Sequence, residues 1–234
     1  IVQERKADQQ KIFTIQSLKD MTIHFLVEEK RQFNVLVEDG HQGLALYRTF
    51  DHLDDIFKLD YQLDLDMEVD YNTKERLYQS GGVGVQSGYS TILLALAQID
   101  AKEGSRVIDL GSGYGRVGLV YALLRPDIEF IGFEYVPHRV ENSNICAKFL
   151  NIDSKLKFIV QDLSLASFKI PEADVYYLYD PFTKGTYDYV LEQIVEFSKF
   201  IPLTVVTKGN AREWLANIAK QNSWPAPQVI DEGN

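Results

Sequence analysis

The stretch Val107-Ile-Asp-Leu-Gly-Ser-Gly-Tyr-Gly-Arg116 constrains the fold more than any other part of the chain. A short apolar run ends in three glycines at alternate positions. It then gives way to Val117, Val120, Tyr121 and Leu124, which recur at helical spacing. The expected local structure is a buried strand, a tight turn and a helix. Glycine at such a turn lets the backbone bend sharply and approach a ligand closely. A strand that feeds a helix in this way belongs to a βα unit, whose strands pair in parallel.

The same alternation continues downstream. Ile128 to Glu134, Leu156 to Val160, Asp174 to Tyr179 and Leu203 to Thr207 read as further strands. Between them, Pro137 suits the first turn of a helix that buries Ile145, Cys146, Phe149 and Leu150. Tyr187, Leu191, Ile194 and Val195 stripe another helix, and Arg212 to Gln221 read as one more. Pro227 to Asp231 is left for a short last strand. Residues 76–234 thus read as one α/β domain with a doubly wound, mainly parallel sheet, and residues 1–75 as an N-terminal α+β extension, a substrate or lid region.

Within that extension, Met21 to Glu28 and Gln32 to Val37 read as two short β-like runs, and Ala45 to Phe57 as a helix. Asp51 to Asp70 is acidic, with Lys58 its only basic residue. Its end, Asp64 to Asp70, alternates charge and hydrophobe like a strand with one wet face. Those carboxylates are either that solvated face or a dock for a basic substrate. The glycine and terminal glutamate of an EF-hand loop are missing.

Composition narrows the function classes. The net charge of −10 argues against a nucleic-acid partner, which needs a Lys/Arg face, and is compatible with a basic protein substrate. No apolar run approaches the roughly 18 residues of a membrane span, and no signal peptide is visible at the start of the sequence. Cys146 stands alone, which favours a reducing compartment, and the expected location is the cytoplasm. There is no G-x-S-x-G elbow and no P-loop. His24, His41, His52 and His138 lack ligand spacing and read as surface or structural residues, and Cys146 as a small hydrophobe.

The chemistry lies at the strand ends. The glycines Gly111, Gly113 and Gly115 have G-x-G-x-G spacing, not the G-x-G-x-x-G of a dinucleotide fold. Asp109 precedes them. A carboxylate there would repel a pyrophosphate but attract the α-ammonium of a methionine moiety, which favours S-adenosylmethionine over a nicotinamide dinucleotide. Glu134, about 20 residues after the loop, sits where an acidic residue accepts hydrogen bonds from ribose hydroxyls. Asp162 closes the third strand, where it could accept from an adenine amino group while Leu163 donates its backbone N–H. A turn cap is the other reading of Asp162.

The series Asp109, Gly111-Gly113-Gly115, Glu134, Asp162 and Asp180-Pro181-Phe182 resembles the successive cofactor motifs of class I S-adenosylmethionine-dependent methyltransferases. The resemblance covers roughly residues 78 to 215. It implies a Rossmann-like sheet of seven strands, with the cofactor at their C-terminal ends and S-adenosylhomocysteine as product. It adds Ser112, Arg116 and Tyr135 to the cofactor site. The wording Asp-Leu-Gly-Ser-Gly-x-Gly-Arg also resembles non-SET protein-lysine methyltransferases.

In amino-directed relatives the fourth motif is Asp/Asn-Pro-Pro-aromatic. Here Asp180-Pro181-Phe182 matches it in part and is the expected seat of methyl transfer, Asp180 also touching the cofactor. The glycine-rich stretch from Tyr78 to Ser90 either folds over the methionine end of the cofactor, through Gln86, Ser87 and Tyr89, or is a linker. Tyr89, Tyr179 and Phe182 are the aromatic candidates for facing a cation. Three functions stay open: a protein-directed N-methyltransferase, a small-molecule methyltransferase, and a cofactor-binding but silent partner subunit.

Overall fold

The computed structural model describes residues 15–40, 53–65, 86–179, 182–209 and 211–229. In chain order the elements are α1 (Ile15–Glu38), α2 (Leu53–Phe57), α3 (Gln62–Leu65), α4 (Tyr89–Gln98), β1 (Arg106–Leu110), α5 (Arg116–Leu124), β2 (Glu129–Glu134) and α6 (Pro137–Phe149). There follow β3 (Leu156–Val160), β4 (Val175–Tyr179), α7 (Lys184–Ser198), β5 (Thr204–Lys208) and α8 (Ala211–Gln221).

The strands form one sheet in the order β3-β2-β1-β4-β5, with every neighbouring pair parallel. Successive side chains point to opposite faces of a strand. Val107, Phe130 and Tyr177 therefore join a core with α1, α4, α5 and α6, while Ile108, Phe133 and Tyr176 join a second core with α7 and α8. Helices cover both faces, as a buried parallel sheet requires. The expected doubly wound α/β fold is the one observed. The strand order reverses between β1 and β4, so a crevice opens at their C-terminal ends, where open sheets of this kind take their ligands.

Several expectations need correction. The two β-like runs at Met21–Glu28 and Gln32–Val37 are parts of a single helix, α1. One stripe of it, Ile23, Leu26 and Glu29, faces the core, and Val27, Val35 and Val37 are exposed. The apolar residues sit close enough together to mimic period two, but packing on α4 selects the helix. Glu28 reinforces that choice by accepting from Arg31 at 2.6 Å and from Gln32 at 2.9 Å, pairs that only a helix brings together.

The first residues of the expected strand at Asp64–Asp70 lie in α3 instead, and residues 66–70 fall outside the described residues. Of the helix expected over Ala45–Phe57, residues 53–57 are helical and 45–52 lie outside. The sheet has five strands among the described residues, not seven. Residues 225–229 are irregular and exposed, so the last strand expected from Pro227 is not seen there. Ile145 is exposed on α6, whereas Cys146 and Leu150 are buried as expected. Burial pushes the Cys146 thiol up to about 12, which leaves it an inert packing group.

Candidate active site

The β1–α5 turn is shaped by its glycines. Gly111, Gly113 and Gly115 have φ of 92°, 55° and 79°, a region L side chains rarely adopt. Gly115 caps α5, and a Cβ there would come within 2.6 Å of the Phe158 ring. The turn folds over the end of β2, because Gly111 and Ser112 both donate their N–H to the Phe133 carbonyl, at 2.8 and 2.9 Å. Ser112 Oγ is buried and has no hydrogen-bond partner among the described residues.

Parallel register sets Asp109 between Gly132 of β2 and Tyr177 of β4. Its carboxyl is buried, and among the described residues no donor or cation is seen to compensate it. Burial, and then the charge of Glu134, push it up to about 8. A buried carboxylate flanked by another acid and by tyrosines is costly unless a cation comes to it.

Glu134 ends β2 and is tied into the turn. Its Oε2 accepts the Gly113 N–H at 2.9 Å and its Oε1 accepts the Val136 N–H at 3.0 Å. Arg139 Nη1 lies 3.7 Å from Oε1. Gln161 donates its N–H to the Glu134 carbonyl at 2.8 Å, which holds the ends of β2 and β3 together. Asp162 follows β3, and its Oδ1 accepts both the N–H and the hydroxyl of Ser164, at 2.8 and 2.6 Å, so it closes a turn. Leu163 is buried in the second core, and Tyr135 is half-buried beside Glu134.

Gln86 reaches the turn from the segment ahead of α4. Its Oε1 is 3.5 Å from the Tyr114 N–H and 2.9 Å from where a Cβ on Gly113 would stand. Tyr89 is buried under the Arg116 guanidinium, 4.7 Å from ring centre, with its hydroxyl on Asp54 at 2.5 Å. Arg116 itself donates to both oxygens of Asp54, through Nε at 2.9 Å and through Nη2, and to the Ser87 carbonyl at 3.1 Å.

Phe182 is fully buried, its ring tilted against that of Tyr187 with centres 4.5 Å apart in the second core. Asp180 and Pro181 lie outside the described residues. Thus Gln86, Asp109, Ser112 with the three glycines, and Glu134 converge at the ends of β1 and β2. Asp162 follows the end of β3, while Tyr89 and Arg116 look toward Asp54.

Sequence reading missed Asp54 and Asp64. Neither is a solvated carboxylate: Asp54 is 5% and Asp64 0% exposed. Asp64 accepts from His138 at 2.7 Å and from two nitrogens of Arg139 at 3.1 Å. Their arginine partners are 62 and 75 positions away, beyond the reach of any local pattern.

A family model described as a methyltransferase domain matches residues 101–224. The chain belongs to that family. No curated protein matches the chain. Among solved structures it is similar to the C-terminal domain of precorrin-6Y C5,15-methyltransferase from Rhodobacter capsulatus, at 16% identity over 58% of this chain and 72% of that one, TM-score 0.46. It is also similar to an RNA methyltransferase from Salinibacter ruber in complex with S-adenosyl-L-homocysteine, at 23% identity over 52% and 76%, TM-score 0.42. The YcgJ protein from Bacillus subtilis matches at 20% identity with TM-score 0.33, and the chain spans 36% of its length.

As a member of the methyltransferase-domain family, the chain has the expected doubly wound sheet, with its glycine turn at the switch point. No helix among the described residues is long and apolar enough to cross a membrane, and no cluster among them could hold a metal ion.

Proposed function

We propose that this methyltransferase takes its methyl group from S-adenosylmethionine and passes it to a nitrogen, with a protein lysine as the acceptor class that its first motif favours. The observation that carries the cofactor reading is Asp109, a buried carboxylate at the switch point without a donor among the described residues. It suits an ammonium. Ser112, whose buried hydroxyl is unpartnered among the described residues, suits a carboxylate beside it.

In this reading Asp109, Ser112 and the turn glycines hold the amino-acid end, with Gln86 beside them, and Glu134 the ribose. Tyr135, Asp162 and Leu163 border the adenine. When bound, S-adenosylmethionine supplies a methyl group already activated on a sulfonium. The protein's part is then mostly alignment, which draws several kcal/mol from proximity and orientation. Asp180 and Pro181 border the acceptor, with Asp180 and a neighbouring carbonyl accepting its N–H groups, while Phe182, buried against Tyr187, anchors the motif in the second core.

Of the three aromatic candidates for facing a cation, Tyr89 already has Arg116 against its ring and Phe182 is buried on Tyr187. Tyr179, two positions beyond the Asp109 partner Tyr177, remains. Such a face stabilises a cation by about 0.5–2 kcal/mol. A lysine acceptor must react as the neutral amine, and nearby carboxylates would raise its pKa.

A small-molecule acceptor is the second reading, and one observation favours it. Asp54 and Asp64 are buried in ion pairs, so the acidic stretch offers less of a dock to a basic protein than its composition implies. Incubation with methyl-labelled S-adenosylmethionine and separated lysate fractions distinguishes the two. Label in protein bands supports the lysine reading, label in the small-molecule pool supports the second, and none in either contradicts both.

A further inference from the structure

We propose that residues 53–65 are a two-point clasp that fixes the geometry of the cofactor site, with Asp54 and Asp64 as positioning residues acting through Arg116 and Arg139. The proposal rests on the cofactor reading above. Each aspartate grips the arginine that follows one of the two ligand-facing strand ends. Arg116 is the first residue of α5, directly after Gly115, and Arg139 lies in the first turn of α6, five positions after Glu134.

The first grip is complete. Asp54 accepts from Nε and Nη2 of Arg116, from the Tyr61 hydroxyl at 2.8 Å and from the Tyr89 hydroxyl at 2.5 Å. Burial holds both phenols well above their usual range, so each keeps its proton to donate. Arg116 also holds the Ser87 carbonyl, one residue from Gln86, which lies against the glycine turn. Asp54 is thereby linked to both walls of the amino-acid end of the site.

The second grip runs to the ribose carboxylate. Asp64 takes two nitrogens of Arg139 in a fork, and the third nitrogen lies 3.7 Å from Glu134. Glu134 in turn accepts the N–H groups of Gly113 and Val136. Asp64 therefore sets Arg139, and Arg139 steadies Glu134. A mere tether could be built as well from apolar residues, because a buried ion pair returns little stability for its desolvation. What a forked pair adds is direction.

The test uses the full chain and compares Asp54→Asn and Asp64→Asn with Ile194→Ala, a change in α7 within the second core, on the opposite face of the sheet. At a temperature where circular dichroism shows all of them folded, both aspartate variants should weaken S-adenosylhomocysteine binding by about tenfold to a hundredfold. Ile194→Ala should bind as the parent does despite its lower Tm. In ligand-free protein, Asp64→Asn should also lose amide-exchange protection at Gly113 and Val136, and Asp54→Asn around Arg116. Parent-like affinity and protection in both aspartate variants would overturn the clasp. Should either fail to fold, Arg116→Lys and Arg139→Lys keep the charge but lose the fork, and the same losses are expected. If the parent itself binds no S-adenosylhomocysteine, the cofactor reading falls, and the exchange measurement still decides the clasp.

Discussion

The backbone N–H of Gly113 donates to Glu134 at 2.9 Å, joining the turn after β1 to the carboxylate that ends β2. The other carboxylate oxygen takes the Val136 N–H. With both oxygens accepting, an amide cannot replace the acid: Glu134→Gln points an NH₂ group at one of those N–H donors. A buried donor left unsatisfied costs about 1–3 kcal/mol. Thermal unfolding should show that loss, and calorimetry should show S-adenosylhomocysteine affinity lower by about tenfold or more. A variant with parental Tm and affinity would exclude this link from the site.

Asp109 should behave in the opposite sense. Its carboxyl is buried without a compensating cation among the described residues, so Asp109→Asn relieves a native-state cost and should raise the Tm. The same change removes the partner of the ligand's ammonium and should weaken binding by about 1.5–3 kcal/mol. Stability gained while affinity is lost is the signature of a residue kept for function. A lower Tm with unchanged affinity would identify a packing residue.

The pH dependence follows from the same group. Burial and then Glu134 push Asp109 up from 3.8 to about 8. The native state therefore holds a proton that the unfolded chain has released, and this contribution to stability declines as pH rises between those two values. A bound ammonium favours the ionised form, so binding near neutral pH should expel close to one proton. Calorimetry in buffers of different ionisation enthalpy measures it. Release should vanish well above the folded pKa, and identical heats in every buffer near neutrality would contradict the assignment.

Gly115 tests the turn itself. At φ 79°, a Cβ would lie 2.6 Å from the Phe158 ring and 3.0 Å from Ser143 Oγ. Gly115→Ala should lose about 1–3 kcal/mol of stability in urea unfolding. Gly185→Ala, where nothing stands within 4 Å of the new atom, is the control and should change little.

How much of this was legible in the sequence depended on range. The strand from Arg106 to Leu110 and the turn after it were read from local pattern alone, because a buried strand, spaced glycines and a helical stripe are all short-range signals. The α1 helix was misread, since clustered Val and Ile suggest a strand and only packing on α4 selects one helical face. Asp54 and Asp64 looked like a wet acidic run because their arginines lie far along the chain. Arg116 was placed at the cofactor for its position in the motif, whereas its guanidinium grips Asp54 and the Ser87 carbonyl. Asp162 takes the turn-cap reading, its Oδ1 accepting both the N–H and the hydroxyl of Ser164.

The most direct measurement is calorimetry of the full chain with S-adenosylhomocysteine. Saturable binding of one ligand per chain is expected, weakened in Asp109→Asn and in Glu134→Gln. No binding by the parent protein at millimolar ligand would contradict the assignment of the glycine turn and its two carboxylates as the cofactor site.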